Sequence, residues 1–119
     1  MAKEWSAILT AKRKELEQAD DQAYKMRQQK ENLETFITKF KELYQQEKDL
    51  LEEEQALCAN TDIVPFLNSE LTELEDLHYK RYRTLLTHQE TFETSLKTHS
   101  NQTATIEKEL TALEKEARL

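Results

Sequence analysis

The chain contains no glycine in 119 residues, and its only proline is Pro65. Average usage of about 7% would give roughly eight glycines in a chain of this length. Glycine supplies the positive-φ turns, phosphate-binding loops and tight hairpins on which loop-built sites and many sheet folds depend. Its absence therefore predicts a helical protein.

One short segment interrupts the helical pattern. Residues 60–62 (NTD) and 63–65 (IVP) together read as a helix stop, a short connection and a new helix start with proline in its first turn. We therefore expect an all-α fold, an antiparallel two-helix hairpin in the form of a coiled-coil-like rod, with the turn near residues 59–65. The chain 1–119 would form a single domain, with helix 1 over about 3–58, the turn over about 59–64 and helix 2 over about 65–117.

The first helix carries a heptad pattern. Alternating steps of four and three residues select mostly apolar positions from Trp5 to Cys58, which defines a seam for packing against another helix. The charged seam positions are Lys12, Lys30, Glu47 and Glu54. We interpret them as long side chains that lie across the seam with their charges in water, and control of helix register is the alternative.

A second apolar row runs beside this seam from about residue 33 to 58. A face two rows wide usually meets more than one helix, so it predicts a partner interface. The first residues of the second helix are also apolar, and we expect Phe66 and Leu67 to fold back on Leu57 and Cys58 or to dock on a partner. The predicted interface residues are Leu33, Phe36, Ile37, Phe40, Leu43, Leu50, Leu57, Phe66 and Leu67.

The second helix repeats the seam less strictly. The heptad holds from Ala117 back to His78, and its phase shifts before that residue. Folding near residue 62 places opposite each other residues whose numbers add to about 123, such as Phe40 and Tyr82. Apolar positions then meet along nearly the whole hairpin, which a continuous helix would not require.

Off this seam, the second helix carries a row of threonines. Their branched Cβ atoms make them mediocre helix formers, so they should weaken the helix locally. We interpret the row as a solvated face, and a hydroxyl-lined helix contact is the alternative. The row consists of Thr84, Thr87, Thr91, Thr94 and Thr98.

Composition excludes several classes of partner. A formal net charge of −7 disfavours binding to nucleic acid and to anionic membranes. No run of 18 apolar residues is present, so membrane insertion is not expected, and the polar N-terminus lacks a signal-peptide core. We expect a cytoplasmic protein, with export by a route that needs no cleaved signal left open.

Catalytic patterns are lacking. The histidines His78, His88 and His99 are ten and eleven residues apart, too distant along a helix to share a metal ion. Acidic clusters such as residues 52–54 lie on solvated faces without a convergent pocket. We expect no enzymatic activity, no metal site and no cofactor.

Three features together carry a family resemblance: the glycine-free acidic hairpin, the opening residues 3–5 (KEW), and heptads such as residues 26–30 (MRQQK) and 44–47 (YQQE). In these features the chain resembles the small helical partner proteins of bacterial type VII secretion. Within that group it looks most like the accessory proteins encoded beside LXG toxins in Gram-positive bacteria. The resemblance implies a helical targeting chaperone that binds the helical N-terminal domain of the toxin.

Two family features are missing. Related ESX-type hairpins carry Trp-x-Gly in the turn, whereas the only tryptophan here is Trp5. Their C-terminal export signal pairs an aromatic residue with an acid four residues later, and the sole match is Phe66 with Glu70, just past the turn. These departures argue against the signal-bearing subunit and fit a chaperone.

Two functions remain open from the sequence. In the first, the chain is a heteromeric chaperone whose wide apolar face packs on helices of a secreted client. A second small helical protein is a further candidate partner, and a homodimer is the candidate state of the isolated chain. In the second, it is a structural coiled-coil adaptor or tether that self-associates through the same face.

Overall fold

The computed structural model describes residues 2–118, so Met1 and Leu119 of the predicted domain lie outside the described residues. Helix α1 spans Ala2–Leu57 and helix α2 spans Val64–Arg118. The described residues contain no strand. The predicted all-α helical hairpin is confirmed.

The turn between the helices is built without glycine. Helical hydrogen bonding continues to Cys58, whose N–H donates to the Glu54 carbonyl, and the Thr61 N–H and hydroxyl both donate to the Cys58 carbonyl. Asn60 takes the left-handed conformation, with φ of +70°. Asparagine tolerates this region better than other residues with a Cβ, so it ends α1 where glycine would be usual.

Helix α2 starts at a residue without a polar side chain. The Leu67 N–H donates to the Ile63 carbonyl, which makes Ile63 the N-cap. Pro65 follows in the first turn, where its missing N–H costs no helical hydrogen bond. No acidic residue occupies this first turn.

Contacts between the helices form two compact units. The turn unit comprises residues Asn32–Glu90, and the terminal unit combines α1 through Glu31 with α2 from Thr91 onward. In the turn unit, Lys48 pairs with Glu75 at 3.9 Å and Gln55 donates to Asn68. The residue numbers of both pairs add to 123, which is the predicted register.

The terminal unit is also antiparallel. Lys12 donates to Glu109 at 2.6 Å, and the His99 ring nitrogen Nε2 lies 2.8 Å from the Ala19 carbonyl oxygen. The small Ala19 side chain leaves the α1 backbone accessible, so an imidazole on α2 can reach it directly. Hydrogen bonds to Glu109 and Glu15 raise the pKa of Lys12 above 10.5.

Burial follows the predicted seams with few exceptions. The seam of α2 is half-buried or buried from Leu67 to Leu113, whereas Ala117 is exposed. On α1, Glu47 is exposed, so its predicted seam position is wrong; Lys48 is half-buried instead and contacts Glu75.

The core is thin. Among the described residues, the buried hydrophobic side chains are Met26, Ile37 and Leu67, and none has less than 2% of its surface exposed. Two packed helices shield one stripe of each, so most seam residues keep some contact with water.

Candidate partner-binding face

An exposed apolar row runs along α1 in the turn unit. Phe36, Leu43, Leu50 and Leu57 follow one another at intervals of seven residues and are between 55% and 85% exposed. Seven residues are close to two helical turns, so these side chains project from one side of α1. We call these four residues the exposed row.

The predicted interface residues therefore separate into two groups. Ile37 and Leu67 are buried, and Leu33 and Phe40 are half-buried in the seam, where they hold the hairpin together. The exposed row and Phe66 face solvent. The structure brings four of the nine residues into the hairpin interior and leaves five available to another protein.

The expectation that Phe66 folds back on Leu57 at the turn is wrong. Leu57 is 85% exposed and Phe66 is 59% exposed, so these side chains do not cover each other. Leu57 is the last residue of α1 and continues the exposed row, which points away from the seam. Leu67, at 3% exposure, provides the burial at this end of the hairpin.

A groove between the helices borders the exposed row. Leu43 of α1 and Leu77 of α2 line the same part of this groove, with Arg81 beside them. Further along, Phe36 shares the groove with Lys80 and Thr84. The apolar surface thus extends from the exposed row onto α2.

Leu77 was missed in the sequence, although a signal for it exists. From the N-cap of α2 onward, residues 63, 70, 77 and 84 repeat at seven-residue spacing, the same period as the exposed row. Ile63 and Leu77 are each 45% exposed. Glu70 and Thr84 interrupt the row with polar side chains, so it does not stand out as an apolar pattern.

An aromatic cluster forms the floor of the groove. The His78 ring stacks on Tyr44 with centroids 3.6 Å apart, on Phe40 at 5.0 Å and on Tyr82 at 5.8 Å. Lys41 lies over the Tyr82 ring at 4.9 Å. Stacked rings restrict one another, so this cluster gives the groove a rigid floor.

The surroundings of His78 disfavour its protonated form. Burial, followed by the positive charge of Lys41, lowers the pKa of His78 below 6.5. Its Nδ1 atom is buried and has no hydrogen-bond partner within residues 2–118. Protonation would place a charge inside the aromatic cluster, so the neutral imidazole acts here as an aromatic packing residue.

The remaining candidate chemistry is not assembled into a site. Within residues 2–118, no group of three or more His, Cys, Asp or Glu side chains is arranged to hold a metal ion. Neither described helix offers a stretch both long and apolar enough to cross a membrane.

No protein family, curated protein or solved structure matches the chain.

Proposed function

We propose that this protein is a non-enzymatic helical partner that packs the exposed row and the adjoining groove onto helices of another protein. One observation supports this most directly: four large apolar side chains at heptad spacing face water in the turn unit. That spacing matches the contact pattern of a docked helix.

The magnitude of apolar burial indicates how much surface the partner covers. Complete burial of a large apolar side chain contributes about 1.5–3 kcal/mol, so four that are already partly covered contribute on the order of 4–6 kcal/mol. Association costs roughly 4–15 kcal/mol. The exposed row alone is therefore insufficient, and the partner must also contact Leu77 and the groove on α2.

The proposed client is the helical N-terminal domain of an LXG-type toxin, which this chain helps to target for type VII export. The resemblance in hairpin organisation, charge and heptad texture supports this client. The chain would bind it in the cytoplasm and could leave the cell with it. A structural tether that self-associates through the exposed row is the second candidate, because the same row is available to another copy.

Co-expression with the helical N-terminal domain of an LXG toxin from the same genome tests this proposal. The wild-type chain should co-purify as a defined complex. Replacing Phe36, Leu43 and Leu50 by Ser should abolish the complex while helicity, measured by circular dichroism, is retained. Phe40 stays unchanged because it packs in the aromatic cluster.

A matched control removes apolar surface elsewhere. Tyr24 and Tyr79 are about as exposed as the exposed row, at 59% and 60%. Replacing both by Ser should leave the complex intact. Unchanged binding by the Phe36, Leu43 and Leu50 variant would contradict the proposal. A stable homo-oligomer that no such domain dissociates would favour the tether.

A further inference from the structure

Charges around the exposed row reverse in sign about its centre. On α1, Lys39 lies four residues before Leu43 and Glu47 four residues after it. A residue four positions away is a neighbour on the same helix surface, so both charges flank the row. Lys39 and Glu47 are both exposed.

The same relation holds on α2 around Leu77. Glu73 lies four residues before it and Arg81 four residues after it. Both charges are exposed, and Arg81 lines the groove with Leu43 and Leu77. Because α2 runs antiparallel to α1, Lys39 and Arg81 lie toward one end of the face, and Glu47 and Glu73 toward the other.

We propose that a second copy of this chain covers the face in an antiparallel, two-fold symmetric pair centred on Leu43 and Leu77. In an isologous contact the same patch is used by both subunits, so it must complement itself. A two-fold rotation across the helices brings the basic end of one copy onto the acidic end of the other. Leu43 and Leu77 then meet their own counterparts, and Phe36 meets Leu50.

A parallel pair is disfavoured by the same charges. It would place Lys39 and Arg81 of the two copies at the same end and collect Glu47 and Glu73 at the other. Like charges brought together across an interface are unfavourable and select against the wrong arrangement. The face therefore specifies orientation as well as contact.

The available surface indicates a reversible pair. A two-fold axis through Leu43 and Leu77 pairs Phe36 with Leu50, so the contact covers 15 residues of α1, about 21 Å, and the width of two neighbouring helices, about 20 Å. It would bury on the order of 400 Å² per copy, or about 800 Å² in total, which is below the usual range for stable interfaces and typical of a weak pair. Weak self-association, open to displacement by a client, is the expected behaviour.

Sedimentation equilibrium on purified charge-reversed variants tests the pair. Lys39→Glu with Arg81→Glu makes both ends acidic, and Glu47→Lys with Glu73→Lys makes both ends basic. Each double variant should associate at least tenfold more weakly than the wild type, since attraction becomes repulsion at both ends. An equimolar mixture should recover the dimer, because each basic end then meets an acidic end.

Two further variants fix the interpretation. The chain carrying all four substitutions should dimerise like the wild type, since antiparallel complementarity is restored. The double variants distinguish a parallel pair, in which they would associate no more weakly than the wild type, because like charges already meet at both ends. Glu31→Lys with Glu52→Lys applies the same charge change as the basic variant on the opposite side of α1, where both residues are exposed. That control should leave association unchanged.

Several outcomes would overturn the proposal. They are a wild-type chain that is monomeric at all concentrations, folded double variants that dimerise normally, and a mixture or fourfold variant that stays monomeric. Circular dichroism establishes that each variant is helical. Client binding is measured separately, so a dimer without client binding counts against the proposed function alone, and client binding without a dimer counts against this pairing alone.

Discussion

His78 packs its ring against other aromatic side chains and leaves a buried nitrogen atom without a hydrogen bond. Its ring lies within 3.6 Å of Tyr44, centroid to centroid, and its Nδ1 atom is buried without a partner among the described residues. A buried polar atom without a hydrogen bond costs free energy, which the stacking contacts must exceed. At this position the imidazole therefore contributes through ring stacking rather than through its Nδ1 atom.

Stability should depend on pH through this residue. Because the pKa of His78 is lowered in the folded protein, the unfolded chain binds more protons below pH 6.5. The stability contributed by the neutral ring is complete above the unfolded pKa and is lost as pH falls through the folded pKa. The melting temperature should thus decrease from about pH 7.5 to about pH 5.5.

Substitution of His78 separates its contribution to the pH dependence of stability from that of other groups. His78→Phe should flatten this pH dependence and raise the melting temperature, because phenylalanine stacks without a buried polar atom. His88 is exposed, so His88→Gln should keep the wild-type slope. Thermal melts of the three proteins across the pH range provide the measurement. An equal slope in the His78→Phe variant would show that the pH dependence does not arise from His78.

At the scale of the element, α2 carries features that lower its stability. The hydroxyls of Thr84 and Thr87 donate to the carbonyls of Lys80 and Arg83, four residues earlier. Such bonds leave the β-branched side chains with restricted rotamers and compete with ideal helix geometry. The threonine row is exposed, so it receives little compensation from packing.

Alanine should therefore stabilise α2. Thr87→Ala, Thr91→Ala and Thr98→Ala should each increase the free energy of unfolding by about 0.5 kcal/mol through helix propensity. The combined effect of the three substitutions is measured as an increase in the urea concentration at the midpoint of unfolding. Thr103 belongs to the half-buried seam, and Thr103→Ala should give no such gain. Destabilisation by the three exposed substitutions would instead indicate a hydroxyl-lined contact.

The start of α2 offers a separate test. Ile63 occupies the N-cap without a side-chain acceptor for the free N–H groups of the first turn. Ile63→Asp should stabilise the protein by about 1 kcal/mol, since an aspartate accepts these hydrogen bonds and favours the positive end of the helix dipole. Ile63→Ala controls for loss of the apolar side chain, and a melting temperature no higher than that of this control would contradict the cap argument.

The sequence predicted the elements better than the details of the site. Heptad spacing is a local property, so both seams could be located from it, and residues 60–65 located the turn. The heptad phase also placed Ile37 in the seam and Phe36 in the row beside it, and the two residues are buried and exposed accordingly. The stacking of His78 on Tyr44 depends on ring orientations across two helices, which no spacing rule fixes.

At the scale of the whole molecule, the thin interior links stability to association. Few described side chains are buried, while the exposed row remains in water. A ligand that binds only the folded form stabilises it by mass action. The protein should therefore gain much of its stability when the exposed row is covered.

The melting temperature should accordingly rise with protein concentration and on addition of a client domain. Circular dichroism melts over a dilution series measure this directly. Replacing Phe36, Leu43 and Leu50 by Ser should remove the concentration dependence without lost helicity at low temperature. A sharp transition above about 75 °C that is independent of concentration would show that the monomer suffices, because mesophilic domains usually melt at roughly 45–65 °C.

The antiparallel register also determines the order in which contacts between the helices can form during synthesis. Gln55 and Asn68 are separated by 13 residues, whereas Lys12 and Glu109 are separated by 97. At about 5–20 residues per second, the first pair can form within roughly 1–3 s and the second only after about 5–20 s. The first part of α1 thus leaves the ribosome long before the segment of α2 that packs against it has been synthesised. Lys12 places a charge in the seam of α1, which helps to keep this exposed seam soluble during the interval.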